Sequence, residues 1–317
     1  MATVFVSGAL PGEGIEALRA AHEVVQDEGG VRSAAFEACA GRVEAVVALL
    51  TDRIDDALLD RAPSLAIVAN VAVGVDNVDL RACAARGVVV TNTPDVLTDA
   101  TADLAFGLLI AAARRIAEGD RLVRAGGFTG WTPTFMLGAK VHGATLGVVG
   151  FGRIGQAMAR RARGFGMHVL YTQRTRLPEG IERALGATYV ADIDELLAWS
   201  DFVSLHCPLT PETRHLFDAG RLARMRPGAI LINTARGPIV DEAALAVALE
   251  RGPLAAAGLD VYEDEPRVHP ALLACPNVVL APHLGSADRT TREAMANAAV
   301  ANVMRVLAGE PPITPVA

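Results

Sequence analysis

The run Thr145-Leu-Gly-Val-Val-Gly-Phe-Gly-Arg-Ile-Gly155 constrains this chain more than any other stretch. It opens with small and branched apolar residues, as a buried parallel strand does, and turns through Gly150, Gly152 and Gly155 into the helical pattern Gln156-Ala-Met-Ala-Arg-Arg-Ala. In the spacing G-x-G-x-x-G the first glycine permits a tight turn, the second lets a pyrophosphate approach the backbone, and the third lets helix and strand pack closely. The N–H groups of the helix's first turn, which begins at Arg153 and Ile154, and the positive end of the helix dipole then face an anion. A second apolar strand, His168-Val-Leu-Tyr-Thr172, follows, which supplies the strand–helix–strand context the motif requires.

About twenty residues beyond such glycines an acidic residue ordinarily grips the ribose 2′-hydroxyl of NAD. Here the chain reads Thr172-Gln173-Arg174-Thr175-Arg176, with no acid. Guanidinium forks pair bidentately with phosphate oxygens, so Arg174, Thr175 and Arg176 suit a 2′-phosphate, and NADP(H) is expected over NAD(H), with NAD(H) still possible.

The 317 residues suffice for two domains, each with its own core. A net charge of −7 argues against nucleic acid or an anionic membrane as the main partner. Cys39, Cys83, Cys207 and Cys275 are scattered without a CxxC pair, which reads as reduced thiols in a cytoplasmic enzyme. The opening residues Met1-Ala-Thr-Val-Phe-Val-Ser7 read as a first strand, with no basic region of a signal peptide. The longest apolar run, Leu104 to Ala113, is too short to span a bilayer and reads as a buried helix.

Strands at Thr3–Ser7, Val43–Leu50, Leu65–Asn70 and Val88–Thr91 alternate with helical segments, a small α/β unit with a parallel sheet. The turn cluster Asn92-Thr-Pro-Asp95 ends it, and a long helix opens at Thr98. The second unit, built on the glycine motif, continues through strands at 202–206, 229–233, 256–261 and 278–281. The helical segment Arg292–Leu307 is expected to return to the first unit. The expected domains are therefore 1–97 with 287–317, and an inserted 98–286.

In a doubly wound sheet, ligands bind outside the carboxyl ends of the strands. Arg236, Glu265 and His283 follow three successive strands there. A guanidinium fork can hold a carboxylate while polarising an adjacent carbonyl. His283, after Pro282, is suited to exchanging a proton near neutral pH, and Glu265 could pair with its imidazole and raise its pKa. His206, also at a strand end, is the nearest rival, and reads as part of a backbone wall around a cofactor. No metal-binding spacing is present.

These segments resemble the D-2-hydroxyacid dehydrogenase family, and most its glyoxylate/hydroxypyruvate reductase branch. The likeness runs nearly the whole length and is carried by Gly150-Phe-Gly-Arg-Ile-Gly155, His206-Cys-Pro-Leu-Thr-Pro211, Asn233-Thr-Ala-Arg-Gly237, Gly258-Leu-Asp-Val-Tyr-Glu-Asp-Glu-Pro266 and Pro282-His-Leu-Gly-Ser286. It implies an α/β fold of two domains, a doubly wound Rossmann domain for the dinucleotide and a smaller flavodoxin-like substrate domain. Arg236 would bind substrate, Glu265 would tune the histidine, and His283 would be the acid/base. Asp260 would hold the nicotinamide amide, while Thr101, Cys207, Pro208, Thr213, Thr234, Ala235 and Gly285 would line the cofactor. Val73 and Gly74 resemble a loop whose backbone N–H groups take the substrate carboxylate. The arm 125–138 is similar to one that crosses to a partner subunit, which implies a homodimer.

The reading is NADPH-dependent reduction of a small 2-oxo acid of the glyoxylate or hydroxypyruvate type to the D-2-hydroxy acid. The alternatives are a related dehydrogenase for D-lactate or D-3-phosphoglycerate, and a dinucleotide-sensing protein akin to the corepressors that share this scaffold.

Overall fold

The computed structural model describes residues 1–316. They form two compact units, one of Met1–Leu97 with the segment from Ser286 onward, the other of Thr98–Gly285.

The first unit holds a five-stranded parallel sheet of β1 (Thr3–Ser7), β2 (Glu23–Asp27), β3 (Val43–Ala48), β4 (Ile67–Asn70) and β5 (Val89–Thr91), in the order β2-β1-β3-β4-β5. Alternate residues of one strand enter different cores. Val4, Val6, Val47 and Ile67 pack with Ala299, Val300 and Val303 of the helix Arg289–Leu307. Phe5, Val46, Val68 and Val90 pack with Phe36, Leu58 and Leu59 on the other face. With both faces covered, the central strands carry apolar residues continuously instead of alternating them with polar ones. The edge strand β2 is only half-buried.

The second unit holds a seven-stranded sheet of β6 (Thr145–Val149), β7 (His168–Thr172), β8 (Ala187–Tyr189), β9 (Phe202–Leu205), β10 (Ile230–Asn233), β11 (Ala256–Leu259) and β12 (Val278–Leu280). All its pairings are parallel, and the order is β12-β11-β10-β9-β6-β7-β8. From β6 the chain winds outward to β8, then returns to pair β9 with β6 and winds the other way. The reversal between β6 and β9 is the switch point at which doubly wound sheets open a crevice for ligands.

The apolar run read as a buried helix lies in Thr98–Ala113, whose Phe106 and Leu109 pack on Val148 and Ile232. Leu196, Leu197, Leu245 and Leu249 cover the opposite face. Among the described residues, no helix is long and apolar enough to cross a membrane.

Candidate active site

The glycine turn follows β6 directly. Gly150 lies at φ +87°, and a Cβ there would come within 2.5 Å of the Cys207 nitrogen. A Cβ on Gly155 would come within 2.4 Å of the Gly150 oxygen, so both positions require glycine for the fold itself. Gly152 differs, because a Cβ there would meet nothing within 4 Å. It precedes the helix Arg153–Gly164, and no side chain caps that N-terminus. A clear, uncapped helix N-terminus is a site for an anion, and here it fits a pyrophosphate.

After β7 the two arginines expected at the 2′-position part company. Arg174, Thr175 and Arg176 are all exposed, the Arg176 side chain at 59%, and what separates the two arginines is a partner. Arg176 donates from Nε and Nη2 to Oε1 and Oε2 of the buried Glu182, at 2.9 and 2.8 Å. An acid therefore does stand in this region, six residues further on and turned to the protein's own arginine. Gln173 accepts from the Phe151 N–H at 3.1 Å and so ties the loop to the glycine turn.

The remaining expected cofactor positions lie in the same unit. A Cβ on Gly285 would lie 3.4 Å from Asp260 and 3.5 Å from the buried Thr101, which brings these three together. Thr234 is buried, and its Oγ1 has no partner, an orphaned hydroxyl of the kind a bound ligand satisfies. Ala235 is half-buried beside it. Thr213 turns its hydroxyl inward, donating to the Pro208 carbonyl at 2.7 Å and accepting from the Thr210 N–H at 2.7 Å. It therefore shapes the wall of the crevice by folding its own loop. Burial pushes the Cys207 thiol up to about 11, which keeps it protonated and unreactive. Burial likewise pushes His206 down to about 4, and its Nε2 meets Ser204 Oγ at 2.8 Å. A neutral, engaged imidazole is a poor proton donor, which removes His206 as the rival acid.

The three ionisable residues beyond β10, β11 and β12 are held by backbone packing. Asn233 bridges the turn that carries Arg236, donating to the Arg236 carbonyl at 2.9 Å and accepting from the Ala235 N–H at 3.0 Å. Next to it, a Cβ on Gly237 would overlap the Tyr262 carbonyl carbon at 1.8 Å, so only glycine lets the Arg236 turn press onto the loop that bears Glu265. Glu265 Oε1 accepts from the Tyr262 N–H at 3.0 Å, and its Oε2 meets His283 Nδ1 at 2.8 Å. Burial pushes the Glu265 carboxyl up, but the imidazole, the Tyr262 N–H and the nearby charge of Arg236 outweigh it, and the pKa lies below the ordinary carboxylate value.

His283 lies at φ +55°, a left-handed conformation that a histidine keeps only when its surroundings hold it. Asp260 does so. Its carbonyl accepts from the His283 N–H at 2.9 Å, and its carboxylate accepts from the Leu284 and Gly285 N–H groups at 2.6 and 2.8 Å. With Nδ1 on Glu265, the opposite ring nitrogen, Nε2, is the one left to meet a substrate.

In the other unit, the carbonyl oxygens of Val73 and Gly74 are engaged by Asn92 and Asn70, at 2.8 and 2.9 Å. Among the described residues, no group of acids, histidines and cysteines could hold a metal ion.

A dinucleotide crevice faced by a carboxylate-paired histidine and an arginine is the site of a nicotinamide-dependent oxidoreductase. Residues 106–285 match the family model "D-isomer specific 2-hydroxyacid dehydrogenase, NAD binding domain", and the chain belongs to that family. It is 49% identical to the glyoxylate reductase of Thermococcus litoralis over 98% of this chain and 95% of that one. Among solved structures it resembles a glyoxylate reductase from Paecilomyes thermophila, with a TM-score of 0.89 and 36% identity over 99% of this chain and 98% of that one. It also resembles the NADPH-dependent glyoxylate/hydroxypyruvate reductase of Sinorhizobium meliloti in complex with NADP and malonate, with a TM-score of 0.88 and 38% identity over 100% of this chain and 97% of that one. The protein is an NAD(P)-dependent oxidoreductase acting on small 2-oxo or 2-hydroxy acids.

Proposed function

We propose that the protein reduces a small 2-oxo acid of the glyoxylate or hydroxypyruvate type to the corresponding D-2-hydroxy acid, with NADPH as the preferred partner. The observation that carries this reading is the 2.8 Å contact between His283 Nδ1 and Glu265, which leaves Nε2 as the donor nitrogen. Arg236 binds the substrate carboxylate through its fork and orients the carbonyl. A nicotinamide held there would supply the hydride for the carbonyl carbon. His283 gives its Nε2 proton to the carbonyl oxygen, so the C=O becomes CH–OH and the imidazole is left neutral, to be reprotonated from solvent. Glu265 fixes the orientation of the ring through Nδ1. Gly150, Gly152, Gly155, Arg153 and Ile154 would hold the pyrophosphate, Asp260 the carboxamide, and Arg174 and Thr175 the 2′-phosphate. The role of the Val73 and Gly74 N–H groups toward the carboxylate is proposed from the family resemblance.

The arm 125–138 and the helix Ile116–Arg124 before it form the proposed homodimer contact. That helix buries none of its residues, and Val123 (60%), Phe128 (55%), Trp131 (77%) and Leu137 (67%) are exposed, more apolar surface than a solvated face needs. Sedimentation of the Trp131→Ser variant as a dimer indistinguishable from the parent would remove the arm from the interface. The free cysteines fit a cytoplasmic setting.

The activity is tested by steady-state kinetics with glyoxylate, hydroxypyruvate, pyruvate and 3-phosphohydroxypyruvate, each with NADPH and with NADH. The reading expects the highest kcat/KM for the two small acids with NADPH. A better rate with 3-phosphohydroxypyruvate, or with NADH throughout, overturns the substrate or the cofactor assignment respectively.

A further inference from the structure

The loop that follows β7 is held by a buried network that the reaction itself does not use. Tyr171, fully buried on β7, stacks on Phe151 of the glycine turn with ring centroids 4.2 Å apart. Its hydroxyl donates to Glu182 Oε1 at 2.6 Å and accepts from the Leu177 N–H at 3.0 Å. Glu182 lies in the helix Glu179–Leu185 with its side chain 7% exposed, and both its oxygens receive Arg176. The Arg176 guanidinium also lies 5.8 Å from the centre of the Tyr189 ring. One carboxylate thus ties the glycine turn, the end of β7 and the next helix to the arginine of the cofactor loop.

We infer that Glu182 is a specificity-determining residue. By pairing with the exposed Arg176 guanidinium it neutralises that charge and leaves Arg174 and Thr175 to recognise the 2′-phosphate, and it sets how strongly NADPH is preferred over NADH. The inference rests on the NADP(H) reading above and deepens it. The hydrogen bonds from Arg176 and Tyr171 hold the Glu182 carboxyl down at about 2, so it is ionised near neutral pH and offsets the Arg176 charge. Glu182→Gln keeps the shape and an acceptor for the Tyr171 hydroxyl but removes that charge. Arg176, two residues from Arg174 in the same loop, then carries a free positive charge beside a doubly charged phosphate.

The test is equilibrium binding of NADPH and of NADH, by fluorescence titration at low and at physiological salt, to the full-length protein and its variants. Glu182→Gln is expected to tighten NADPH relative to NADH by roughly two- to five-fold, the worth of one partly exposed charge pair, with the gain shrinking as salt is added. A purely structural role would shift both cofactors together. An unchanged or reduced ratio therefore overturns the inference. Should Glu182→Gln fail to fold, Arg176→Met and Arg174→Met settle the question. Arg174→Met is expected to lose most of the NADPH preference and Arg176→Met little of it, whereas an equal or larger loss in Arg176→Met overturns the assignment. A parent protein with no preference for NADPH refutes the underlying cofactor reading by itself, separately from the direction in which Glu182→Gln moves the ratio.

Discussion

The seven-stranded sheet has two halves that meet between β6 and β9, and they make a site in different ways. On the β6–β7 side the ligand surface is backbone: a turn, a helix N-terminus and one glycine with open space before it. On the β10–β12 side it is three side chains from turns up to 47 positions apart in the chain, brought together by how those turns press on one another. A backbone site is written in a short contiguous motif. A side-chain site depends on packing between turns that are distant in sequence, and small errors in that packing matter more, since proton transfer requires hydrogen-bond reach.

Substitutions on the β10–β12 side should produce the largest effects. His283→Gln removes the proposed proton donor and is expected to lower kcat by roughly 10²- to 10⁴-fold with NADPH binding unchanged. Pre-steady-state turnover near the parent's rate would show that the proton comes from elsewhere. Gly237→Ala acts on the same site without touching substrate. Its methyl group would overlap the Tyr262 carbonyl carbon, a backbone clash that no rotamer relieves, so about 3 kcal/mol of stability should be lost in urea unfolding along with most of the activity. Unaltered unfolding would mean that the Arg236 turn is not pressed on the Glu265 loop as described.

The contrast becomes sharper within the glycine turn. Gly155→Ala would drive a methyl onto the Gly150 oxygen and should destabilise the fold, whereas Gly152→Ala meets no protein atom. The Gly152 variant should therefore melt like the parent yet bind NADPH about ten-fold more weakly, since the added methyl occupies the pyrophosphate's approach. Equal melting shifts for the two variants would remove the distinction between a glycine kept for the fold and one kept for the ligand.

What could be read from the chain follows the same division. The glycine motif, the apolar central strands and the residues after each strand were legible because each is a local pattern. Arg236, Glu265 and His283 could be singled out since a parallel sheet puts all its strand ends on one side. The edge strands β2 and β8 were not read, being short and only partly buried, and so lacking the apolar run that marks a central strand. Glu182 was not read either. In Glu179-Gly-Ile-Glu-Arg-Ala-Leu it resembles an ordinary helix-surface glutamate, and only the close approach of its helix to β7 buries it against Tyr171 and Arg176. The absence of an acid immediately after β7 was visible in the sequence. That an acid a turn further on would take up one of the two arginines was not, because that pairing is a tertiary contact.

The smallest expected effect lies in how the Glu265–His283 pair responds to acid. The folded carboxyl has a pKa below its ordinary value of 4.5, so it binds a proton less readily than in the unfolded chain. Its contribution to stability is therefore fully present above that ordinary value and disappears as the pH falls through the lowered, folded one. Both side chains are 35% exposed, which limits the contribution to about 0.5 kcal/mol through solvent screening. In urea unfolding, the difference in stability between the parent and Glu265→Gln should shrink by that amount on acidification below 4.5. A difference that instead grew on acidification would mean that the folded carboxyl is easier to protonate than the unfolded one. Glu265 could not then be the ionised partner of His283, and the histidine would lose the support on which its proposed role as proton donor depends.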